Sequence, residues 1–346
     1  MGDLDPRTVN LRTLPLQTGR RGFVLNALFV QNNFRHAVKD KGVSNDTMED
    51  RRQYIYRAFH YLEHNDIKSF KLDPRSFGDR HVRFLFADME RRAKAGQLGP
   101  SAIQKAHSYL RTFSGWIDKP CLVLPIGAYI SDETLYRRSY VTKHSKAWDN
   151  NGVAPDEVIA AVAEFDERVA VQIKLMKEFG LRCKEAVMFR PHQDIVTAAQ
   201  AGKVAACVAE CLQLRRGTKG GRLRYVPVVT PGQLAAIEHA RRVAPCENDS
   251  LSDPRYQLAR AIRHQRYVME LFGLTKAMLG VTAHGLRHGY AAERYKAETG
   301  MAPPVATAER ADAAVDLAAR RLVSEALGHS RTQITSMYLG SSRARR

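Results

Sequence analysis

Four stretches of apolar residues at helical spacing fill most of the first 118 residues, and short polar breaks separate them. The stretches cover residues 23–40, a segment capped by Thr47, about 79–95, and Pro100 to about Trp116. Gly42 and Gly96 follow the first and third stretches as stop signals. After a polar leader of residues 1–20, residues 21–118 are therefore predicted to form a small helical bundle.

Residues 119–152 lack a sustained period and are rich in proline, glycine and asparagine. This composition is typical of a linker or domain edge rather than of a long helix or strand. Residues 153–346 again contain helical patterns, and we predict that they form a second domain.

The second domain also contains two short apolar runs, Leu212–Leu214 and Leu223–Val229, which flank a glycine-rich segment. Such a pair predicts a β-hairpin. The helices predicted around the hairpin are Pro155 to about Phe179, one from near Arg182, 233–243, 254–272, 285–298 and 308–327. The expected fold class is mainly α with a small β-sheet (α+β).

The chain is strongly basic, with 54 Lys and Arg residues against 36 Asp and Glu residues and a formal net charge of +18. The excess is present in residues 1–118 as well as in 119–346. Two basic domains suit a clamp around a polyanion such as nucleic acid. A charged surface that serves only solubility is the alternative, and a membrane surface fits less well because no basic helix has a strongly lipid-like opposite face.

No apolar run approaches the roughly 18 residues that a membrane span requires, and residues 1–12 do not resemble a secretory signal. The five cysteines lack C-x-x-C spacing, although Cys207 and Cys211 lie one helical turn apart. We interpret the cysteines as structural thiols in a reducing compartment. A soluble, intracellular protein is therefore expected.

Several side chains of the second domain are candidates for chemistry, although each alone has a simple structural explanation. Arg182 opposes the dipole at the start of its helix, so it requires an anionic partner, either Glu185 or a phosphate. Lys219, in the glycine-rich turn, is either merely exposed or projects into a groove. His329 follows a glycine at a helix end, and Tyr338 lies nine residues later, where a lone tyrosine is usually a packing residue.

His284 and His288 have the i, i+4 spacing of a zinc-binding helix. The zinc-protease pattern requires Glu directly after the first His, where this chain has Gly285, and Arg287 would repel a cation. We therefore predict no metal site. His284 and Arg287 share a helix face, from which both can reach one phosphate.

In this order, four segments resemble the motifs of the tyrosine recombinase, or phage integrase, family. They are GLRCKEA from Gly180, TKGGRLRYVPV from Thr218, HGLRH from His284 and LGHSRTQITSMYL from Leu327. Each segment alone is weakly specific, whereas the ordered set is specific. The motifs lie within residues 151–346, and the helices of 21–118 resemble the family's core-DNA-binding domain in their arrangement.

The resemblance implies DNA strand cleavage and rejoining without a metal or other cofactor. In the family's scheme Tyr338 forms a 3′-phosphotyrosyl bond, and Lys219 protonates the 5′-oxygen that leaves. Two guanidiniums match the oxygens of a phosphate, which agrees with this chemistry. The remaining correspondences are Arg182, Arg287 and His329 for phosphate binding, His284 for assisting proton transfer and Glu185 for supporting the site.

The resemblance further implies a site-specific recombinase that integrates and excises a mobile element. The expected partners are double-stranded DNA with specific sites, three further copies in a homotetramer on paired sites, and accessory DNA-bending or directionality factors. The expected location is the cytoplasm, at the nucleoid, with a bacterial, phage or mobile-element origin. The chain departs from the family's pattern in the long segment between Tyr290 and Leu327 and in the short segment after Tyr338.

Two alternatives remain open from the sequence. A type IB topoisomerase shares the chemistry but relaxes supercoils without partner sites. A noncatalytic DNA-binding protein would use the same basic surfaces but has no need of a nucleophile such as Tyr338.

Overall fold

The computed structural model describes residues 4–16, 21–36, 40–65, 73–202 and 208–342. The chain divides into two compact units, Met1–Arg138 and Ser139–Arg346. Among the described residues, every helix is too short or too polar to span a membrane.

The first unit is a helical bundle, as the apolar periodicity predicts. Its helices are α1 (Arg21–Asn32), α2 (Asn45–Asn65), α3 (Asp79–Lys94) and α4 (Pro100–Trp116). Their inward faces form one aromatic-rich core, in which Phe59 and Phe113 meet edge to face with centroids 5.2 Å apart. The bundle therefore has its own hydrophobic core.

Two predicted helix boundaries in this unit were wrong. The first helix ends at Asn32 instead of residue 40, because the chain then turns back and Arg35 pairs with Gly42 in an antiparallel bridge. The second helix starts before Thr47, and Ser44 is its cap because the Ser44 hydroxyl accepts the backbone N–H of Thr47 at 3.3 Å.

The second unit is built around a helix that is buried on nearly all sides. In chain order its first helices are α5 (Pro155–Phe165), α6 (Glu167–Phe179), α7 (Cys183–Met188) and α8 (Ala198–Ala201). The later helices are α9 (Pro231–Val243), α10 (Leu258–Leu271), α11 (Ala283–Thr299), α12 (Ala313–Ala326) and α13 (Ser336–Leu339). Helix α6 packs against α5, α9 and α11, and this packing explains why eight of its thirteen residues are buried.

The single helix predicted from Pro155 to Phe179 was wrong, because the chain breaks at Asp166. This residue has an extended backbone with φ −150°, and its carboxylate accepts the N–H of Val169 at 2.9 Å as the cap of α6. The apolar period continues across the break, so the periodicity alone did not indicate it.

A three-stranded antiparallel sheet lies within the second unit. Its strands are β1 (Ile195–Thr197), β2 (Glu210–Leu214) and β3 (Arg224–Pro227), in that order across the sheet. Strands β2 and β3 form the predicted hairpin, with Leu212 opposite Val226. The short strand β1 was not predicted. Cys211 lies on β2, so the helical spacing assigned to the two cysteines was wrong, and Cys207 lies outside the described residues.

Candidate active site

Arg287 is the centre of the candidate site, on the second turn of α11, and its side chain is fully buried at 0% exposure. Its Nη1 donates to the carbonyl of Gly180, and its Nη2 donates to the carbonyl of Leu327 at 2.5 Å. Its Nε donates to the hydroxyl of Tyr338 at 3.3 Å. One guanidinium thus joins the ends of α6 and α12 to the tyrosine near the end of the chain.

No carboxylate forms an ion pair with Arg287 within the described part of the chain. Burial lowers the pKa of Arg287 to about 10, which still leaves the group charged at neutral pH. Burial of a charge without a counter-ion costs roughly several kcal/mol of folding free energy, even after the protein around it has relaxed. The surroundings of this guanidinium are therefore suited to an anion.

Gly285 allows α11 to approach the start of the second unit closely. A Cβ at this position would lie 2.5 Å from the carbonyl oxygen of Lys146 and 2.7 Å from the ring of Trp148. The Trp148 indole also donates to the carbonyl of Thr282 at 2.8 Å, just before α11 begins. The residue that distinguishes HGLRH from the zinc-protease pattern is thus required by packing.

Arg182 precedes α7 and is held by a buried carboxylate, that of Glu185. The Glu185 carboxylate accepts the side chain of Arg182 at 2.6 Å and its backbone N–H at 2.8 Å, in the manner of a capping box. It also accepts two hydrogen bonds from Arg224 on β3, at 3.0 and 2.8 Å. One carboxylate therefore fixes two guanidiniums.

Burial alone would raise the pKa of Glu185, but the hydrogen bonds and charge of Arg224, with the charge of Arg182, lower it below its ordinary value. The carboxylate is therefore ionised at neutral pH. With Arg287, the site contains three guanidiniums against this one carboxylate. The resulting excess of positive charge matches a phosphate.

Tyr338 lies on the single turn of α13 and is 6% exposed. Its hydroxyl lies 3.3 Å from Arg287 Nε and 3.3 Å from His329 Nε2. Backbone hydrogen bonds hold both ends of this turn, because Thr142 donates to the Ser336 carbonyl at 3.0 Å and Val305 donates to the Leu339 carbonyl at 2.9 Å. The phenol is therefore fixed within the cationic cluster of its own chain.

Val305, which holds the end of α13, belongs to the segment between Tyr290 and Leu327. Arg320 on α12 adds a bond to the Gly340 carbonyl at 3.2 Å. Residues of the segment between Tyr290 and Leu327 thus hold the C-terminal end of α13, which carries Tyr338.

Three imidazole rings surround the ring of Tyr338. The centroid distances to the phenol ring are 5.8 Å for His284, 4.7 Å for His288 and 5.6 Å for His329. Burial lowers the pKa of His284 and of His329 to about 4, and the charges of Arg287 and Arg182 add to the effect. At neutral pH both rings are uncharged, so the positive charge of the site resides on the arginines.

Gly328 brings His329 close to the buried arginine of β3. Its φ is +68°, and a Cβ there would lie 2.8 Å from the Cδ of Arg224. Helix α12 ends at Ala326, two residues before this glycine, and the His329 N–H donates to the Ser324 carbonyl at 2.8 Å. The turn thus directs His329 into the site.

The structure brings six of the seven residues predicted for the site into one cluster. They are Arg182, Glu185, His284, Arg287, His329 and Tyr338. The seventh, Lys219, lies by its backbone in a short turn between β2 and β3, and its side chain lies outside the described part. The described residues contain no group of three or more His, Cys, Asp or Glu side chains suited to a metal ion.

Sequence reasoning missed two residues of this cluster. Arg224 lies in the TKGGRLRYVPV segment without a predicted role, although its alternation with Leu223 and Tyr225 in a strand places its side chain on the face opposite to theirs. His288 was considered only as a metal ligand, whereas its ring contacts the phenol. The i, i+4 spacing from His284 was the signal for its position.

Residues 139–293 match the family model described as Integrase. No curated protein matches the sequence. A solved lambda integrase dimer bound to a core site is similar at 14% identity and a TM-score of 0.52, covering 88% of this chain and 92% of its own.

XerH site-specific recombinase is similar at 15% identity and a TM-score of 0.51, covering 93% of this chain and 81% of its own. The Tn1549 transposon integrase in complex with transposon end DNA has 12% identity and a TM-score of 0.50, covering 92% of this chain and 95% of its own. At these identities the structures show the fold, and they confirm the predicted fold class. Together with the match of residues 139–293 to the Integrase model, they show that the chain is similar to integrases of the tyrosine recombinase, or phage integrase, family.

Proposed function

We propose that the chain is a site-specific DNA recombinase that cleaves and rejoins strands through a 3′-phosphotyrosyl intermediate. The observation that carries this proposal is the fully buried Arg287, whose hydrogen-bond partners among the described residues are all neutral and include the hydroxyl of Tyr338. An anion that reaches this guanidinium compensates the buried charge, and it does so beside a nucleophile. A scissile phosphodiester meets both conditions.

In the proposed reaction, the guanidiniums of Arg182 and Arg287 and the imidazole of His329 bind the nonbridging oxygens. The negative charge that develops on these oxygens is stabilised by donors that are already in place. Glu185 and Arg224 hold Arg182 in its orientation through the bonds described above. His284 lies beside the phenol ring and assists the transfer of its proton.

The cleavage step forms one bond to phosphorus and breaks another. The Tyr338 oxygen forms a bond to phosphorus as its proton passes to the neutral imidazole of His284, and the bond from phosphorus to the 5′-oxygen breaks. Following the family's scheme, Lys219 gives a proton to the leaving 5′-oxygen. The new phosphodiester conserves the energy of the broken one, so that the reverse attack by a 5′-hydroxyl rejoins a strand.

The Tyr338 hydroxyl contacts two of the groups that the phosphate requires. Both Arg287 Nε and His329 Nε2 lie 3.3 Å from this hydroxyl. Binding of the phosphate therefore displaces the hydroxyl before it attacks. The order of events is binding of the phosphate, movement of the phenol and then cleavage.

We further propose that residues 21–118 form a core-DNA-binding domain and that residues 153–346 form the catalytic domain. The proposed partner is double-stranded DNA with specific sites, and a homotetramer assembles on two paired sites. Similar lambda integrase structures include a dimer bound to a core site and a tetramer bound to a Holliday junction. Accessory DNA-bending or directionality factors, a cytoplasmic location and a mobile-element origin belong to the same proposal.

The test is incubation of the protein with nicked DNA duplexes from the region that flanks its own gene. On a nicked duplex the cut end diffuses away, so a covalent protein–DNA adduct accumulates. We expect an adduct with the wild type and none with Tyr338→Phe. Relaxation of supercoiled plasmids that lack these sites would instead indicate a topoisomerase, and DNA binding without any adduct would indicate a noncatalytic protein.

A further inference from the structure

His288 is a buried side chain of the site that the proposed reaction does not use. It follows Arg287 on α11, is 4% exposed, and has the shortest ring-to-ring distance to Tyr338 of the three surrounding histidines. The sequence singled it out only as a partner of His284 for zinc. Its place beside the nucleophile calls for a different explanation.

The Nδ1 atom of His288 is buried and has no hydrogen-bond partner in the described part of the chain. An unpaired ring nitrogen in the interior costs free energy, whereas a phenyl ring of similar shape would fill the space without that cost. A neutral imidazole has one donor nitrogen and one acceptor nitrogen, so the unpaired atom is able to accept a hydrogen bond. The site therefore contains an unused polar atom on a ring whose centroid lies 4.7 Å from that of the phenol.

The hydroxyl of Tyr338 requires a new partner once the phosphate has displaced it. Its present partners are Arg287 Nε and His329 Nε2, and both are groups assigned to the phosphate. Tyr338 is almost completely buried, so water does not readily replace them. A displaced hydroxyl without a partner would be poorly oriented for attack.

We propose that His288 is a positioning residue for the nucleophile, whose Nδ1 accepts the hydrogen bond of the Tyr338 hydroxyl when a phosphate occupies Arg287 and His329. The inference rests on the proposed function and adds to it the group that holds the phenol after displacement. Burial, together with His284, Lys146 and Arg287, lowers the pKa of His288 to about 3. The ring is therefore a neutral acceptor at neutral pH and a weak base.

The first test compares His288→Phe, which keeps a ring without nitrogens, with His288→Asn, whose amide oxygen can take the position of Nδ1. We expect His288→Phe to form the covalent adduct on nicked DNA about tenfold more slowly or worse, the effect of one lost hydrogen bond. His288→Asn should recover most of that rate. DNA affinity should not change in either variant, and the melting temperature of His288→Phe should not fall.

His192→Phe is the matched control, because His192 bonds only to the carbonyl of Ala244 among the described residues. Adduct formation by this control should match that of the wild type. Wild-type rates for His288→Phe, or equal losses for His288→Phe and His288→Asn, would overturn the proposal. A merely structural role would couple any loss of rate to a loss of stability.

The second test needs no DNA and separates this inference from the proposed function. Orthovanadate is titrated into protein labelled with ¹³C at tyrosine Cζ, and Tyr338→Phe identifies the Tyr338 signal. We expect vanadate to shift this signal in the wild type and His288→Asn, and to shift it differently in His288→Phe. An identical shift in all three proteins, or no shift in the wild type, would refute the role of His288 even if the wild type cleaves DNA.

Discussion

Replacing Glu185 by Gln tests whether one buried carboxylate holds the two guanidiniums of Arg182 and Arg224. The substitution keeps the shape of the side chain but removes the negative charge that accepts four hydrogen bonds. Arg224 is itself buried, so it loses its counter-ion without gaining water. Breaking a buried pair in this way costs about 3–5 kcal/mol.

At roughly 2–4 °C per kcal/mol for a unit of this size, the melting temperature should fall by about 6–20 °C at neutral pH. The matched control is Glu167→Gln, because the Glu167 side chain is 61% exposed and meets His239 at 2.9 Å on the surface. The control should change the free energy of unfolding by less than about 0.5 kcal/mol. Denaturant titrations of the wild type and both variants measure these differences.

The pH dependence of the same comparison tests the cause. The folded-state pKa of Glu185 lies below its ordinary value of 4.5, so the contribution of the carboxylate is complete above that pH. As the pH falls below 4.5, the carboxylate takes up a proton more readily in the unfolded chain, and the gap between wild type and Glu185→Gln should narrow. A gap that stays constant or widens in acid, or a variant as stable as the wild type, would refute the reasoning.

Three further predictions concern glycines and histidines. Gly328→Ala should slow cleavage and lower the free energy of unfolding by about 1–3 kcal/mol, because the new Cβ crowds the buried side chain of Arg224. The control Gly300→Ala, which has open space around it, should cost only about 1 kcal/mol of backbone strain and leave cleavage unchanged. Gly285→Ala should destabilise the fold by roughly 1–3 kcal/mol, because its Cβ would collide with the start of the second unit. Gly289→Ala, with its nearest neighbour at 3.8 Å, should instead stabilise α11 by about 0.5–1 kcal/mol. Thermal melts of the two variants measure both effects. The folded-state pKa values of the three histidines around Tyr338 lie at about 3 to 4, below the ordinary value of 6.5. The free energy of unfolding should therefore fall as the pH falls from 6.5 towards 4. A free energy of unfolding that does not change over this pH range would contradict the burial of these rings in the neutral form.

Much of the helical architecture was predictable, because apolar period and end signals agree. Helix α4 begins at Pro100 and ends at Trp116, as its proline and apolar stripe indicate. The break at Asp166 was not predictable from the sequence. An aspartate that caps a helix within a continuous apolar period looks the same in the sequence as an exposed residue inside a helix. The short strand β1 depends on pairing with β2, which is a tertiary contact.

The residue types of the candidate site and their order in the chain were predictable, because each of the predicted residues lies in one of the four motif segments. What the sequence did not indicate is how these groups are supported. The complete burial of Arg287 depends on carbonyls from two distant helix ends, and the bond from Arg224 to Glu185 joins a strand to a helix. The anchoring of Tyr338 by Val305 likewise arises from the folded path of a segment without a recognisable motif.

The most direct test of the central claim is the identification of the amino acid and the DNA end in the covalent adduct. The adduct trapped on nicked DNA is digested with protease and nuclease, and the linked peptide is sequenced by mass spectrometry. We expect a nucleotide joined through its 3′-phosphate to Tyr338. A phosphate on any other residue, or a link to a 5′-phosphate, would contradict it.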